Sequence, residues 1–191
     1  MSRRRGPGLS LAEWLVLCLL AEEPAHCFGL AALLAPEGSV GIVWHVQKTE
    51  VYRAAQRLER LGLIMAEGRQ ATSQGPPRIQ LHATPEGCRA AQGWLRQPVA
   101  HARDVRSELM LKLALLSRAG ADPGDLLRAQ RGQLIPVASE LAGQMRTASG
   151  FDQALIRWRH ESVCGTLRFL DTLLAAEPSP RAETAQALAP S

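Results

Sequence analysis

The apolar and polar positions along the chain describe a run of helices interrupted once by a pair of short strands. Leu11, Trp14, Leu15, Cys18 and Leu19 recur every three or four residues, the spacing of one helix face. Ser10 stands just before them with Glu13 three residues on, a capping-box pattern. A first helix is therefore predicted over about 10–22, stopped by Pro24. A second, "HCFGLAALLA" at about 26–35, halts before Pro36, and "PEGSVGI" reads as a loop. The third, "KTEVYRAAQRLERLGLI", gathers Val51, Ala54, Ala55, Leu58 and Leu61 on one side and Thr49, Arg53, Gln56, Arg57 and Arg60 on the other. Gly62 sits where a helix C-terminus favours glycine, so this helix is predicted over 48–62.

Two strands follow, "LIMAE" and "RIQLH", joined by the polar, Gly/Pro-rich tip "GRQATSQGPP" as a hairpin spanning about 64–82. Thr84 caps the next helix with Pro85 in its first turn, and Pro98 closes it. Beyond Arg103 the pattern is helical: 103–118 with Val105, Leu109, Leu113 and Leu116, then 123–147 with Pro136 as a kink, then 152–175 after "SGF". Three helices and a hairpin are the plan of a winged helix-turn-helix, in which the third helix enters the DNA major groove and the hairpin flanks it. The fold class predicted is mostly α with a small β wing. Residues 1–8 form a flexible basic tail, 9–97 a winged-helix DNA-binding domain, 98–175 an α-helical dimerisation domain, and 176–191, rich in Ala, Pro and Ser, a disordered tail.

Composition changes this picture only in places. Apolar residues make up 46% of the 191 and aromatics 4%, so Leu and Ala carry the packing. The net charge of +4 permits nucleic acid without requiring it. Of 22 basic residues all but Lys48 and Lys112 are Arg, a skew that lowers the weight of any single arginine. Before Gln97 stand 11 basic and 8 acidic residues, and after it 11 and 10, so the excess lies N-terminally. Cys18, Cys27, Cys88 and Cys164 show no CxxC spacing and read as reduced thiols, which suits a cytoplasmic protein. The histidines form no HxxxH or HExxH, so neither metal nor cofactor is expected. The start resembles a secretory signal, but Glu13 interrupts it, Glu22 and Glu23 occupy the cleavage region, and the apolar run is too short to span a bilayer. No membrane partner is expected. No P-loop, GxSxG, dinucleotide fingerprint or paired catalytic carboxylate appears, so no enzymatic activity is expected.

Lys48, Thr49, Tyr52, Arg53 and Gln56 occupy the first turns and outer face of the third helix. Arg and Gln can bond bidentately to guanine and adenine edges, while Lys and Thr suit phosphates. Arg57 and Arg60 lie towards the end that leaves the groove, where Glu50 and Glu59 are on hand as partners. Arg69, Gln74 and Arg78 decorate the hairpin and suit a wing that tracks phosphate, with Arg3–Arg5 either a further arm or a solubilising tail. Trp14 and Trp44 read as core. Trp94 and Trp158, with His101, fall near the junction of the two parts and are the candidates for an effector pocket.

"VYRAAQRLERLGLI", the hairpin ending "GPPRIQLHATPEG" and then "WLRQPV" together resemble the PadR family of bacterial transcriptional regulators. "RDVRSELMLKLALL" and "RWRHESVCGTLRFLDTLL" resemble that family's helical dimerisation region, so the likeness runs over roughly 9–175. It implies a homodimeric repressor that releases a double-stranded operator in response to a small-molecule effector or another signal, and it places Tyr52 at the DNA surface. Two departures stand at packing positions: His26-Cys27-Phe28-Gly29 replaces the family's His-Gly-Tyr, and Leu81-His82 stands where an aromatic is common. The two long C-terminal helices are amphipathic and point to pairing with a second copy, which predicts a palindromic operator. The alternative is a winged-helix protein–protein adaptor that binds no DNA.

Overall fold

The computed structural model describes residues 8–70 and 78–176. The Arg3–Arg5 tail, the hairpin tip with Gln74, and the tail beyond residue 176 lie outside them. The chain forms two compact units, Met1–Leu126 and Leu127–Ser191. The elements run α1 (Leu11–Glu22), α2 (Cys27–Leu33), α3 (Lys48–Arg60), β1 (Ile64–Gln70), β2 (Arg78–Ala83), α4 (Pro85–Arg96), α5 (Met110–Arg118), α6 (Gly124–Gln144) and α7 (Gly150–Ala175). No helix among the described residues is long and apolar enough to cross a membrane.

The capping box at α1 forms in full: Glu13 N donates to Ser10 Oγ at 3.3 Å, and Ser10 N donates to Glu13 Oε2 at 2.7 Å. The helix that starts there is buried on more than the one face its spacing predicted. Leu15, Val16, Leu17, Cys18, Leu19 and Leu20 are all enclosed, because α3, α4 and β2 pack around it. It is the central helix of the first unit. The second helix is shorter than predicted, since its last carbonyls already accept from the loop, Leu33 O from Val40 N at 3.2 Å and Gly41 N at 3.1 Å.

α3 buries Val51, Ala54, Ala55 and Leu58. Leu61, predicted to join them, is exposed, because it is the C-cap residue where the helical rotation ends. Gly62 follows with φ of 69°, a left-handed turn that a Cβ would disfavour. Gly62 N donates to Glu59 O at 2.9 Å and Leu63 N to Leu58 O at 3.0 Å, the paired bonds of a Schellman ending. β1 and β2 pair antiparallel from Ile64 opposite Ala83 to Gln70 opposite Arg78, and the register shifts between Glu67 and Arg69, leaving Gly68 as the extra residue of a bulge. Ala25 adds a short third rung by exchanging both backbone bonds with Leu81, each 2.9 Å.

The start of α4 is tied to the end of α3. Thr84 Oγ1 accepts from Gly87 N at 3.1 Å and donates to Gly62 O at 2.8 Å, while Thr84 N donates to Leu63 O at 2.9 Å. Gly87 lies so close that a Cβ there would collide with the Leu63 carbonyl.

The segment predicted as one helix over 103–118 has three parts. A 3₁₀ turn covers Ala102–Asp104, a π turn covers Val105–Leu109, and only then does α5 begin. A π turn takes up an extra residue and rotates the face that follows it. The buried positions therefore run Val105, Leu109, Leu111, Lys112 and Leu115, with Leu113 and Leu116 only partly buried. Leu111 and Leu115 join the same core as α1, α3 and α4. Residues 98–126, assigned from the pattern to the dimerisation part, accordingly belong to the first compact unit, and the division falls after Leu126.

In the second unit α6 runs on through Pro136, and α7 starts at Gly150, so "SGF" opens the last helix rather than preceding it. Arg131 Nε donates to Asp171 Oδ1 at 2.6 Å, joining the early part of α6 to the late part of α7 as an antiparallel hairpin. Leu134 and Leu141 of α6 and Val163 and Leu170 of α7 are buried. Phe151, Trp158 and Phe169 are exposed, and their spacing brings them nearly into line along one side of α7.

Candidate nucleic-acid interface

α3 enters its first turn from Gln47, which is extended and makes no side-chain cap. The first backbone N–H groups of the helix are thus left without a side-chain acceptor, and they point out of the helix end together with its positive dipole. Lys48, Thr49, Tyr52, Arg53 and Gln56 all stand exposed around that end, opposite the buried Val51, Ala54, Ala55 and Leu58. Tyr52 borders the two sides and is 42% exposed, so its ring is part of the surface. The five side chains named from the pattern therefore share one solvent-facing surface.

Arg57 is engaged within the fold. Its Nη1 is 3.4 Å from Glu13 Oε1, and its Nη2 donates to Gly8 O at 3.2 Å. Where the sequence offered Glu50 and Glu59 as partners, the structure supplies the buried capping carboxylate of α1. Arg60 Nε donates to Gln56 O at 3.4 Å, within its own helix. The far end of α3 is thereby committed to scaffold, and the near end carries the free polar surface.

Arg69 and Arg78 occupy the outer rungs of the hairpin, Arg69 opposite Ile79 and Arg78 opposite Gln70, beyond the Gly68 bulge. Gln74 lies outside the described residues.

The three residues named for an effector pocket have different surroundings. Trp94 is buried and stacks on Trp14, with ring centroids 5.3 Å apart and planes 7° from parallel. On the same indole sits Lys112, whose Nζ is 4.6 Å from the ring, 2.7 Å from Glu108 Oε1 and 2.8 Å from Gln97 O. Trp94 is core, and its ring faces are taken up by Trp14 and Lys112 rather than open to a ligand. His101 is exposed just before the 3₁₀ turn, and Trp158 is exposed on α7 in the second unit. Burial pulls the Lys112 ammonium below the ordinary lysine range, and the Glu108 hydrogen bond works against that pull. Burial likewise pushes the Cys18 thiol up to about 12, which keeps it protonated and unreactive.

The sequence does not announce a cavity that borders α3. It lies between α2 and residues 45–48, with Phe28, Ala31, Ala32, Ala35, His45 and Lys48 among its walls. Its trace is indirect: "CFGLAALLA" contains no polar side chain on any face.

Three helices, the third with an exposed polar face, and an antiparallel hairpin beside them define a winged helix-turn-helix. No family model matches the chain, and no curated protein does. Among solved structures it is similar to Bacillus subtilis PadR in complex with operator DNA, at 18% identity over 86% of this chain and 98% of that one, with a TM-score of 0.45. It is also similar to smu.1604c from Streptococcus mutans UA159, at 13% identity over 86% and 98%, with a TM-score of 0.41. The B. subtilis PadR complex with p-coumaric acid matches at 16% identity over 88% and 97%, with a TM-score of 0.37. At these identities the likeness is one of fold.

Proposed function

We propose that the chain is a sequence-specific regulator of transcription that binds double-stranded DNA, with the near end of α3 in the major groove and the wing on flanking backbone. The observation that carries this reading is the segregation along α3: Lys48, Thr49, Tyr52, Arg53 and Gln56 face solvent while the opposite side is buried. Arg53 and Gln56 are the base-reading side chains in this reading, and Lys48 and Thr49 hold phosphate. Arg69 and Arg78, with Gln74 at the tip, extend the contact along the duplex. The exposed row on α7 supports a homodimer. Two-fold pairing would set the two α3 helices about 34–36 Å apart and match a palindromic operator. Repression released by a small-molecule effector is the regulatory mode we assign.

The test is duplex binding to genomic fragments across a salt series. Affinity is expected to fall steeply with salt, with a log–log slope of roughly −0.9 per phosphate contacted. Arg53→Ala should cost about 10- to 100-fold and relax the sequence preference, whereas Lys48→Ala should weaken all sequences alike and reduce the slope by about 1. Binding that is absent, or indifferent to both salt and sequence, refutes this reading and leaves the adaptor.

A further inference from the structure

Two features at the entry to α5 are costly, and they lie side by side. Val105–Leu109 is a π turn, which takes in one residue more than an uninterrupted α-helix would. Lys112, one turn on, is 1% exposed, with its ammonium over the Trp94 ring and bonded to Glu108 and to Gln97 O. An ammonium drawn into a core loses hydration that one carboxylate restores only in part.

Both costs have a single remedy. A residue that follows a π turn occupies the site its predecessor would hold in an unbroken α-helix. Closing the π turn into α therefore advances α5 by one site, about 100° and 1.5 Å. Met110, Leu111 and Ala114 then take the core sites now held by Leu111, Lys112 and Leu115. All three incoming side chains are apolar. Lys112 passes to the half-buried site of Leu113, from which its long side chain reaches water. The opposing cost is at Leu115, whose site goes to a smaller alanine. Each register carries a penalty that the other lacks, which is the condition for two states of similar free energy.

We propose that α5 is a two-register switch, in which the π turn at Val105–Leu109 forms and closes as Lys112 enters and leaves the core. The step has a path to α3. Arg118 ends α5 with Nε 2.8 Å from Glu22 Oε2, at the end of α1, and Nη1 3.4 Å from Ser39 Oγ, in the loop that leads into α3. Rotating α5 by about 100° turns Arg118 away from both. The loop is thus held in the π register and released in the other. The bearing of this on DNA rests on the reading of α3 as the DNA-facing helix.

The test is modification of Lys112 by succinic anhydride in the full chain, assigned by peptide mass, since Lys48 is the only other lysine. Below the unfolding transition the rate should be nearly flat against urea, because a register step exposes little surface. A slope equal to that of global unfolding means that Lys112 leaves the core only when the chain unfolds, and overturns the proposal. Ala114→Glu sets a charge in the Leu115 site in the advanced register alone, and should slow modification about 10-fold or more. Deletion of Ser107 removes the extra residue of the π turn and should slow modification as far, with circular dichroism unchanged. Modification indifferent to both changes means that Lys112 escapes by another motion, and overturns the register step.

The path to α3 is read separately. Saturating duplex DNA should slow modification of Lys112 in the wild type about 3-fold or more, by holding the π register. A DNA-bound chain modified at the unchanged rate overturns the path through Arg118. A chain that switches as described but binds no DNA supports the switch and refutes the DNA reading alone.

Discussion

α1 and α7 show how differently the two units are finished. α1 is 12 residues long and enclosed on most of its circumference, with even Glu13 drawn inside to serve a cap and an arginine. α7 is 26 residues long, yet its buried positions are Val163 and Leu170, while Phe151 is 79% and Trp158 67% exposed. The first unit has enough elements around its central helix to close a core. The second has an antiparallel pair of helices, which cannot cover both sides of either helix. The lesson is that the first unit's stability belongs to one chain, and the second unit's apolar row calls for a cover, which a second copy supplies in the function proposed above.

The sharpest way to break that comparison is to charge the row. Phe151→Asp with Trp158→Asp should weaken self-association by about 1,000-fold, or about 4 kcal/mol, measured by sedimentation equilibrium. Unchanged association would remove this row from the interface. Next in size, Leu58→Ala opens a cavity in the closed core and should cost about 2–5 kcal/mol in urea unfolding, a loss independent of protein concentration. A concentration-dependent loss would mean that the first unit also leans on a partner. Thr84→Ala removes the cap of α4 and its tie to Gly62, and should cost about 1–2 kcal/mol by the same measurement.

The smallest effect sharpens the account of the closed core. Lys112 is 1% exposed, but its partner Glu108 is about a third exposed and can turn to water. Lys112→Met should therefore lie within about 1 kcal/mol of the wild type. Burial lowers the Lys112 pKa in the folded chain, so between that value and the ordinary one the unfolded chain binds more protons. The Lys112 contribution to stability should therefore rise with pH across that interval, read as the difference between the wild type and Lys112→Met in urea midpoints, because the raised Cys18 thiol lowers the stability of both once the pH passes its ordinary value of 9.0.

Features with a local cause were legible in the sequence. The capping box of α1, the Thr84 cap, the Gly62 ending and the polar face of α3 each depend on residues within a turn or two of one another, and the pattern displays them. Features made by meetings across the chain were not. Trp94 stands among the candidates for a pocket in the sequence because nothing in its neighbourhood announces Trp14, 80 positions earlier in the chain, as its stacking partner. The pairing of Arg57 with Glu13 was hidden for the same reason, with closer carboxylates drawing the eye. The π turn at Val105–Leu109 follows no residue code, so the positions after it were assigned to the wrong side of the helix. The cavity beside α3 needed the loop 34–47 in place before the bare face of α2 had an opposite wall.

The clamp around Leu63 makes a lever of the wing. Its carbonyl accepts from Thr84 N, Gly87 presses against it, and Thr84 Oγ1 reaches past it to Gly62 O. There is no slack at that point to absorb a rotation of α4 about its own axis. A rotation of that kind has its fulcrum at Leu63 and swings the far end of α3 and the root of the hairpin in a single stroke, so that force applied to α4 arrives at both elements as one displacement.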